Sequence, residues 1–527
     1  MFIVIGSGPA GIAAAKCLLH KKHKVTLLDV GFELEPERNS MLDSLRSTPY
    51  EAWDKKLLQS IHENMQPDIK GLPKKLLFGS DFPYRHPESC LDVQSKEVDV
   101  LVCHARGGLS RVWGANVLPL LDSDLGAWPF KLSELTPYYK KIFEFVDLSA
   151  RKDSLEELFP IHRENPKALA LSKQARDILS DLEKHKEKLR AAGIYFGQSR
   201  LAVKNNSGSP GNECIYCGHC LYGCPYDLIY SSAITLKELL KDSNFTYQPN
   251  CFVERIEENG EVLKVFYRNL KTGSDEQINC ERAFLGAGTV ASSRIVLESQ
   301  NAYDKDLLIR DSQYFLVPFL RFRGSSDVTK ERLQTLSQVA INFLNAEISK
   351  NSVHVLIYTY NDLYLRAIKR LAGPLKSIAE IFSRPLLSRL VVMQGYLHSD
   401  ESPAISLKVS KPSSGKRTIS LQPIWNSKTK ETVKKLFKKI WKEYRSFGGI
   451  PLTPLLHIGA PGKSYHLGAS LPMREKPVQF ESDSLGRPYG FSRLHVVDAS
   501  VFSDVPATNI TLTIMANSYR IADKITD

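Results

Sequence analysis

The hydrophobic pattern is clearest at the start of the chain. The apolar run FIVI is followed by GSGPAG, an alanine-rich stretch, a second apolar run (VTLL) and the acidic Asp29. This order predicts strand, helix, strand, with a carboxylate where the second strand ends. Gly6 permits the tight strand-to-helix turn, Gly8 lets a pyrophosphate approach the backbone, and Gly11 lets helix and sheet pack closely. The phosphates would rest on free N–H groups at the helix N-terminus. Asp29 follows Gly11 by eighteen residues, close to the ~20 expected of an acid that binds an adenosine ribose. Flanked in this way, the glycines predict a bound dinucleotide.

After Gly31 the chain is polar to about Glu97, with no long helical period, and is expected to be an insertion covering the cofactor. Val98–Leu120 restores order: a strand-like run leads to Gly107, Gly108 and Ser110, then Trp113 and Gly114, a backbone able to pass close to a flat ligand. Helices are expected within Trp128–Val146, with Pro137 tolerated in the first turn, and over Pro166–Ala192, ended by Gly193. From Tyr247 to Asn279, alternation broken at Glu258-Asn259-Gly260 and Thr272-Gly273 predicts a β-meander, in which Val253 is assigned to the cofactor. Arg282–Ser299 then repeats the logic of strand, glycine turn (Gly286, Gly288) and helix. Asn301–Pro454 mixes strand-like and helical pieces and reads as a sheet-based substrate domain. Within it Val433, Leu436, Phe437, Ile440, Trp441 and Tyr444 form one helical stripe. Leu363–Val392 is apolar but interrupted by prolines and basic residues, and fits either a cap over the substrate site or peripheral membrane contact.

At 527 residues the chain has room for two to four domains. A net charge of +12 favours anionic partners, but no nucleic-acid module accompanies it, so that partner ranks last. No uncharged apolar run reaches transmembrane length, and the first strand begins at Phe2, from which a cytoplasmic location is expected. Four of the nine cysteines fall at Cys214, Cys217, Cys220 and Cys224, followed by Pro225. This is the spacing of bacterial ferredoxins, without the second run that a two-cluster protein has. The run admits a 3Fe-4S cluster on three ligands, a 4Fe-4S cluster on four, a zinc ion, or a loop that binds no metal.

Near the C-terminus Leu494–Val497 reads as a strand with Asp498 and Ser500 at its polar end, and Thr508 or Asn509 opens a helix. A helix N-terminus aimed at a cofactor site would favour the negative charge of a reduced flavin. His466 stands in a glycine-flanked loop. Alone it would read as structural; beside such a helix it reads as functional.

These blocks together, GSGPAG, GGLSRVWG, GAGTVASSRIVLES, the YHLG histidine block and VVDASVF through Asn509, resemble the glucose-methanol-choline (GMC) oxidoreductases. The resemblance implies an α/β protein: a Rossmann-like FAD-binding domain, discontinuous in sequence, with an α+β sheet-based substrate domain. Residues 1–300, with inserted segments 36–96 and 150–210, and 455–527 would form the first, and 301–454 the substrate-binding cap. FAD would lie along Gly6, Gly8, Gly11, Asp29, Gly107, Gly108, Ser110, Val253, Gly286, Gly288, Asp498 and Asn509. His466 would take the hydroxyl proton of an alcohol, sugar or polyol while a hydride passes to flavin N5, with Asn509 orienting the oxygen. Some members attach FAD through a histidine after the paired glycines. Val112 stands in that place here, so FAD is expected to be non-covalent. The cysteine run resembles members with an iron-sulfur cluster: Cys214, Cys220 and Cys224 match the ligands and Cys217 is additional. This implies a dehydrogenase passing electrons to an acceptor protein or quinone rather than to oxygen. Two other readings are an electron-transfer module with a vestigial alcohol site, and an FAD-dependent enzyme modifying a glycan or lipid without net alcohol oxidation.

Overall fold

In a computed structural model, which describes residues 1–63, 74–206, 212–373, 383–411 and 416–526, the strand Phe2–Ile5 is the centre of a five-stranded parallel sheet. Val25–Leu28 and Arg282–Leu285 flank it, and Phe245–Gln248 and Leu494–Val496 form the edges. Parallel neighbours need long crossovers, and here they are supplied by segments far apart in the chain. The sheet core is dry: Ile3, Val4, Leu27, Leu28, Phe284, Leu285 and Val496 are all fully buried. Helix Pro9–His20 packs on the C-terminal helix Thr511–Thr526, with the Ser518 hydroxyl donating to the Ala10 carbonyl at 2.6 Å. The expected meander forms from Cys251–Asn259, Val262–Asn269 and Asp275–Cys280, antiparallel throughout.

The mixed α/β class holds. A second large sheet is antiparallel along Gly449–Pro451, Tyr314–Arg321, Leu390–Leu397, Val353–Tyr358, Val339–Phe343 and Ile194–Gln198. Strict alternation gives it two faces. Phe315, Val317, Ile341, Val355 and Met393 pack into one apolar core, to which helices Lys173–Glu183 and Lys428–Lys442 contribute Ile178, Leu182, Val433, Leu436, Phe437 and Ile440. Tyr314, Leu316, Leu356 and Tyr396 fall on the other. The expected stripe is buried except at its end, where Trp441 is 43% exposed. A third sheet joins Leu467–Gly468, Leu307–Asp311, Ala404–Ser410, Arg417–Ile424 and Leu91–Ser95.

Four features differ from the sequence expectation, the first being that Pro137 lies inside helix Leu132–Phe143 rather than in its first turn. The polar stretch after Gly31 contains helices Pro36–Ser47 and Lys55–Glu63. They fully bury only Leu42 and Leu45 in one case and Ile61 in the other, each within a narrow apolar stripe set in polar chain. Pro166–Ala192 is two helices, Lys173–Glu183 and Lys186–Ala191; the first starts where the Ser172 hydroxyl accepts the Ala175 N–H at 3.2 Å. The C-terminal helix starts at Thr511, which leaves Asn509 in the turn before it. In the apolar segment after Asn361, Leu363 and Tyr364 border the main cavity, and 374–382 lie outside the described residues. Among the described residues no helix is long and apolar enough to cross a membrane.

A Cβ at Gly11 would sit 1.9 Å from the Gly6 carbonyl oxygen, with only backbone to yield. Gly11→Val is therefore expected to destabilise the protein by about 3 kcal/mol or more, seen as a shifted urea midpoint or as insoluble protein. An unchanged midpoint would refute the packing role.

Candidate active site

Three glycine turns from distant parts of the chain touch one another. A Cβ at Gly6 would lie 2.6 Å from the Gly286 oxygen, one at Gly286 2.8 Å from the Gly11 nitrogen, and one at Gly108 3.0 Å from the Gly8 Cα. At Gly8 itself nothing stands closer than 4.0 Å, because the residue faces a cavity of about 520 Å³. Of the positions expected at a cofactor, Gly6, Gly8, Asp29, Gly108, Ser110, Val253, Gly286, Gly288, Asp498 and Asn509 border this cavity. Gly11 and Gly107 stand behind it as packing residues: Gly11 against Gly6, and Gly107 with its N–H on the Ser7 hydroxyl at 2.9 Å.

The carboxylates do structural work as well as facing the cavity. Asp29 accepts hydrogen bonds from the Ser7 hydroxyl and from Tyr247 Oη (3.2 Å), and burial pushes its carboxyl up to about 6. Asp498 accepts four: Gly288 N at 2.9 Å, Ser292 Oγ at 2.5 Å, Ser500 N at 2.9 Å and Ser500 Oγ at 2.6 Å. It ties the Gly286–Gly288 turn to the C-terminal segment. The Ser110 hydroxyl donates to Gly107 O at 2.6 Å, and the Val253 carbonyl accepts from Arg294 at 2.6 Å, so these two residues border the cavity with those groups already engaged.

Also bordering the cavity, His466 Nε2 and Asn509 Nδ2 stand 3.3 Å apart. The histidine loop is anchored by Asp311, which accepts Gly462 N and Ser464 Oγ, both at 2.7 Å; Ser464 Oγ then receives the His466 N–H at 2.9 Å. Tyr396 stacks on the imidazole at 4.8 Å between ring centroids. Burial lowers the His466 pKa to about 4, so the ring is neutral near pH 7. His466 Nδ1 and Asn509 Oδ1 are buried without a hydrogen-bond partner among the described residues. Such atoms are rare in a folded interior, and here both belong to residues that border the cavity. Ile510, just before the C-terminal helix, and Thr511 and Ile514 of its first turn border it too, placing the positive end of that helix at the cavity. Sequence reasoning missed Asp311, Ser7, Tyr247 and Tyr396. None carries a spacing signal, because each acts across a tertiary contact.

The four cysteines of the run line a second, small cavity of about 20 Å³. Leu336 borders this cavity and the large one, so the two adjoin. Tyr216 N donates to Cys214 Sγ at 3.4 Å and Thr335 N to Cys220 Sγ at 3.5 Å. Among the described residues no three His, Cys, Asp or Glu side chains are arranged to hold a metal ion, and all nine cysteines are free of disulfides.

Residues 459–518 match the family model described as GMC oxidoreductase. No curated protein sequence matches the chain. Among solved structures, pyridoxine 4-oxidase from Mesorbium loti superposes with a TM-score of 0.58 at 14% identity, covering 99% of this chain and 98% of that one. The fold is therefore shared from end to end, and the matched segment contains both His466 and Asn509. Residues 459–518 are thus similar to the GMC oxidoreductase model, and the whole chain shares its fold with a solved structure.

Proposed function

We propose that the protein is an FAD-dependent dehydrogenase that oxidises the CH–OH group of a small alcohol to a carbonyl. The observation that carries this reading is the His466–Asn509 pair, with Nε2 and Nδ2 3.3 Å apart, bordering the cavity that the glycine turns also border. The residues present suit FAD: Gly8 leaves open space where a Cβ would otherwise project, and the first turn of Pro9–His20 offers free N–H groups to phosphate. Val112, which also borders the cavity, offers no nucleophile for a covalent link. When bound, FAD supplies the acceptor for the carbinol hydride and its two electrons. His466 takes the hydroxyl proton, which its neutral ring can do, and Asn509 holds the oxygen in line. The apolar walls exclude water from the ring and the carbinol alike. The structurally similar oxidase acts, by its name, on pyridoxine, a small ring compound, in keeping with a small-molecule substrate.

A second proposal concerns the electrons' exit. The cysteine cavity adjoins the main one across Leu336, and two of its sulfurs receive backbone N–H groups; burial raises the Cys214, Cys217 and Cys224 thiols, so that coordination to a metal is what would hold them as thiolates. We assign Cys214, Cys220 and Cys224, with Cys217 nearby, to an iron-sulfur cluster that would pass single electrons to a protein or quinone acceptor in a reducing, cytoplasmic setting.

His466→Ala is expected to keep FAD and slow anaerobic flavin reduction by about 10²-fold or more; Asn509→Ala should cost less. Reduction at the normal rate in the His466 variant would dismiss it as the base. Since the neutral ring is the active form, kcat/KM should hold through pH 6.5 and fall only as pH drops toward about 4, and this acid limb should vanish in His466→Ala. Protein purified without oxygen should contain iron and acid-labile sulfide, both lost in Cys220→Ser; one equivalent of zinc and no sulfide would end the cluster assignment.

A further inference from the structure

Helix Lys428–Lys442 turns its apolar side into the core of the second sheet, and the side it turns outward is almost all lysine. Its fifteen residues hold seven lysines and one glutamate, half of the chain's net charge of +12. Residues four apart stand one above the next on a helix. Lys430, Lys434, Lys438 and Lys442, all exposed, therefore form one line about 18 Å long. Lys428 is exposed at its start. Among the described residues none of these five pairs with a carboxylate, whereas Lys435 does so with Glu431 at 2.8 Å. The helix Lys186–Ala191, which touches the end of this one through Lys188 and Glu443 at 2.7 Å, shows the ordinary arrangement: Lys186 pairs with Glu183 at 3.5 Å and Arg190 with Glu157 at 2.9 Å.

Exposed apolar side chains bracket the lysine line. Trp441, about three turns beyond Lys430 and so on the same side of the helix, is 43% exposed. Tyr444 follows it, with Phe322, 48% exposed, edge-on at 6.0 Å. At the other end Ile424 and Trp425, 47% and 64% exposed, lead into the helix. Stacked like charges weaken a helix unless something anionic lies over them. A bilayer with acidic lipids meets both features: its surface is a broad sheet of negative charge, and its headgroup layer accommodates tryptophan and phenylalanine rings. Single-stranded nucleic acid, another polyanion, is bound in grooves with arginine and stacked aromatics. This ridge is the convex side of a surface helix and contains no arginine. We infer that the lysine ridge docks the protein on an anionic membrane surface, with Trp425 and Trp441 in the headgroup layer. Because the helix keeps its apolar side in the core, the contact is peripheral and reversible, and salt weakens it.

The test sediments the full chain with vesicles of phosphatidylcholine, alone or with about 30% phosphatidylglycerol. Binding to the acidic vesicles should be stronger by about 100-fold or more and should fade as salt rises from about 0.1 to 0.5 M. Lys430→Gln, Lys434→Gln, Lys438→Gln and Lys442→Gln combined should weaken it by about 100-fold or more. The same change at Lys24, Lys241, Lys271 and Lys476, exposed lysines on other elements, alters the total charge equally and should cost less than about 3-fold. Trp441→Ala should cost about 5-fold and leave the salt dependence unchanged. Should the first combination prove insoluble, wild-type protein treated with acetic anhydride decides: acidic vesicles should shield Lys430, Lys434 and Lys438 from acetylation and leave Lys271 reactive. Equal losses in the two lysine combinations, equal shielding of all lysines, or equal binding to both kinds of vesicle would each overturn the ridge as the docking surface. A single-stranded oligonucleotide held more tightly than the acidic vesicles at the same salt would overturn the membrane in favour of nucleic acid.

Discussion

The backbone contact among Gly6, Gly11 and Gly286 is the constraint on which the rest of the structure depends. Two strands and a helix meet there at distances that admit only hydrogen on the Cα. That contact fixes how Phe2–Ile5 lies beside Arg282–Leu285, and so where both glycine turns face. A side chain at any of the three would push the strands apart and with them the floor of the cavity. Gly8 and Gly108 meet a little further along, which brings the GGLSRVWG block over the same floor.

From this floor, buried carboxylates extend the order outward. Asp498 holds the Gly286–Gly288 turn to the chain that leads to Asn509, and Asp311 holds the loop that carries His466. Burial disfavours the charge of both groups, raising Asp311 to about 6 and shifting Asp498 in the same direction. Each is compensated by backbone and hydroxyl donors rather than by a cation. The His466–Asn509 geometry is thus set by hydrogen bonds on two different sheets, while the pair itself keeps polar atoms in reserve.

Much of this was legible in the sequence because it is local. Glycine spacing reports backbone requirements within a few residues, so the turns at Gly6, Gly8 and Gly286 could be read directly, as could the meander from its alternation. The partnership of His466 and Asn509 came from resemblance to a family, not from spacing. Asp311, Tyr247 and Tyr396 were not legible, because each acts through a partner tens to hundreds of residues away. Helices Pro36–Ser47 and Lys55–Glu63 escaped for another reason: each is short, with one narrow apolar stripe (Met41, Leu42 and Leu45; Leu57, Leu58 and Ile61) inside a stretch of polar chain.

The order of strands in the parallel sheet also bears on how the protein comes into being. One edge strand, Leu494–Val496, and the Asn509 turn that follows it lie near the end of the chain, while their neighbours lie near its start and middle. During synthesis the nascent polypeptide therefore carries an open sheet edge and an unfinished cavity floor until Leu494–Val496 and the Asn509 turn have been made. Such long-range closure folds slowly and exposes apolar surface meanwhile. Completion of the cavity floor is consequently a late event in folding, and the surface left open until then is the price of a sheet closed by segments so far apart.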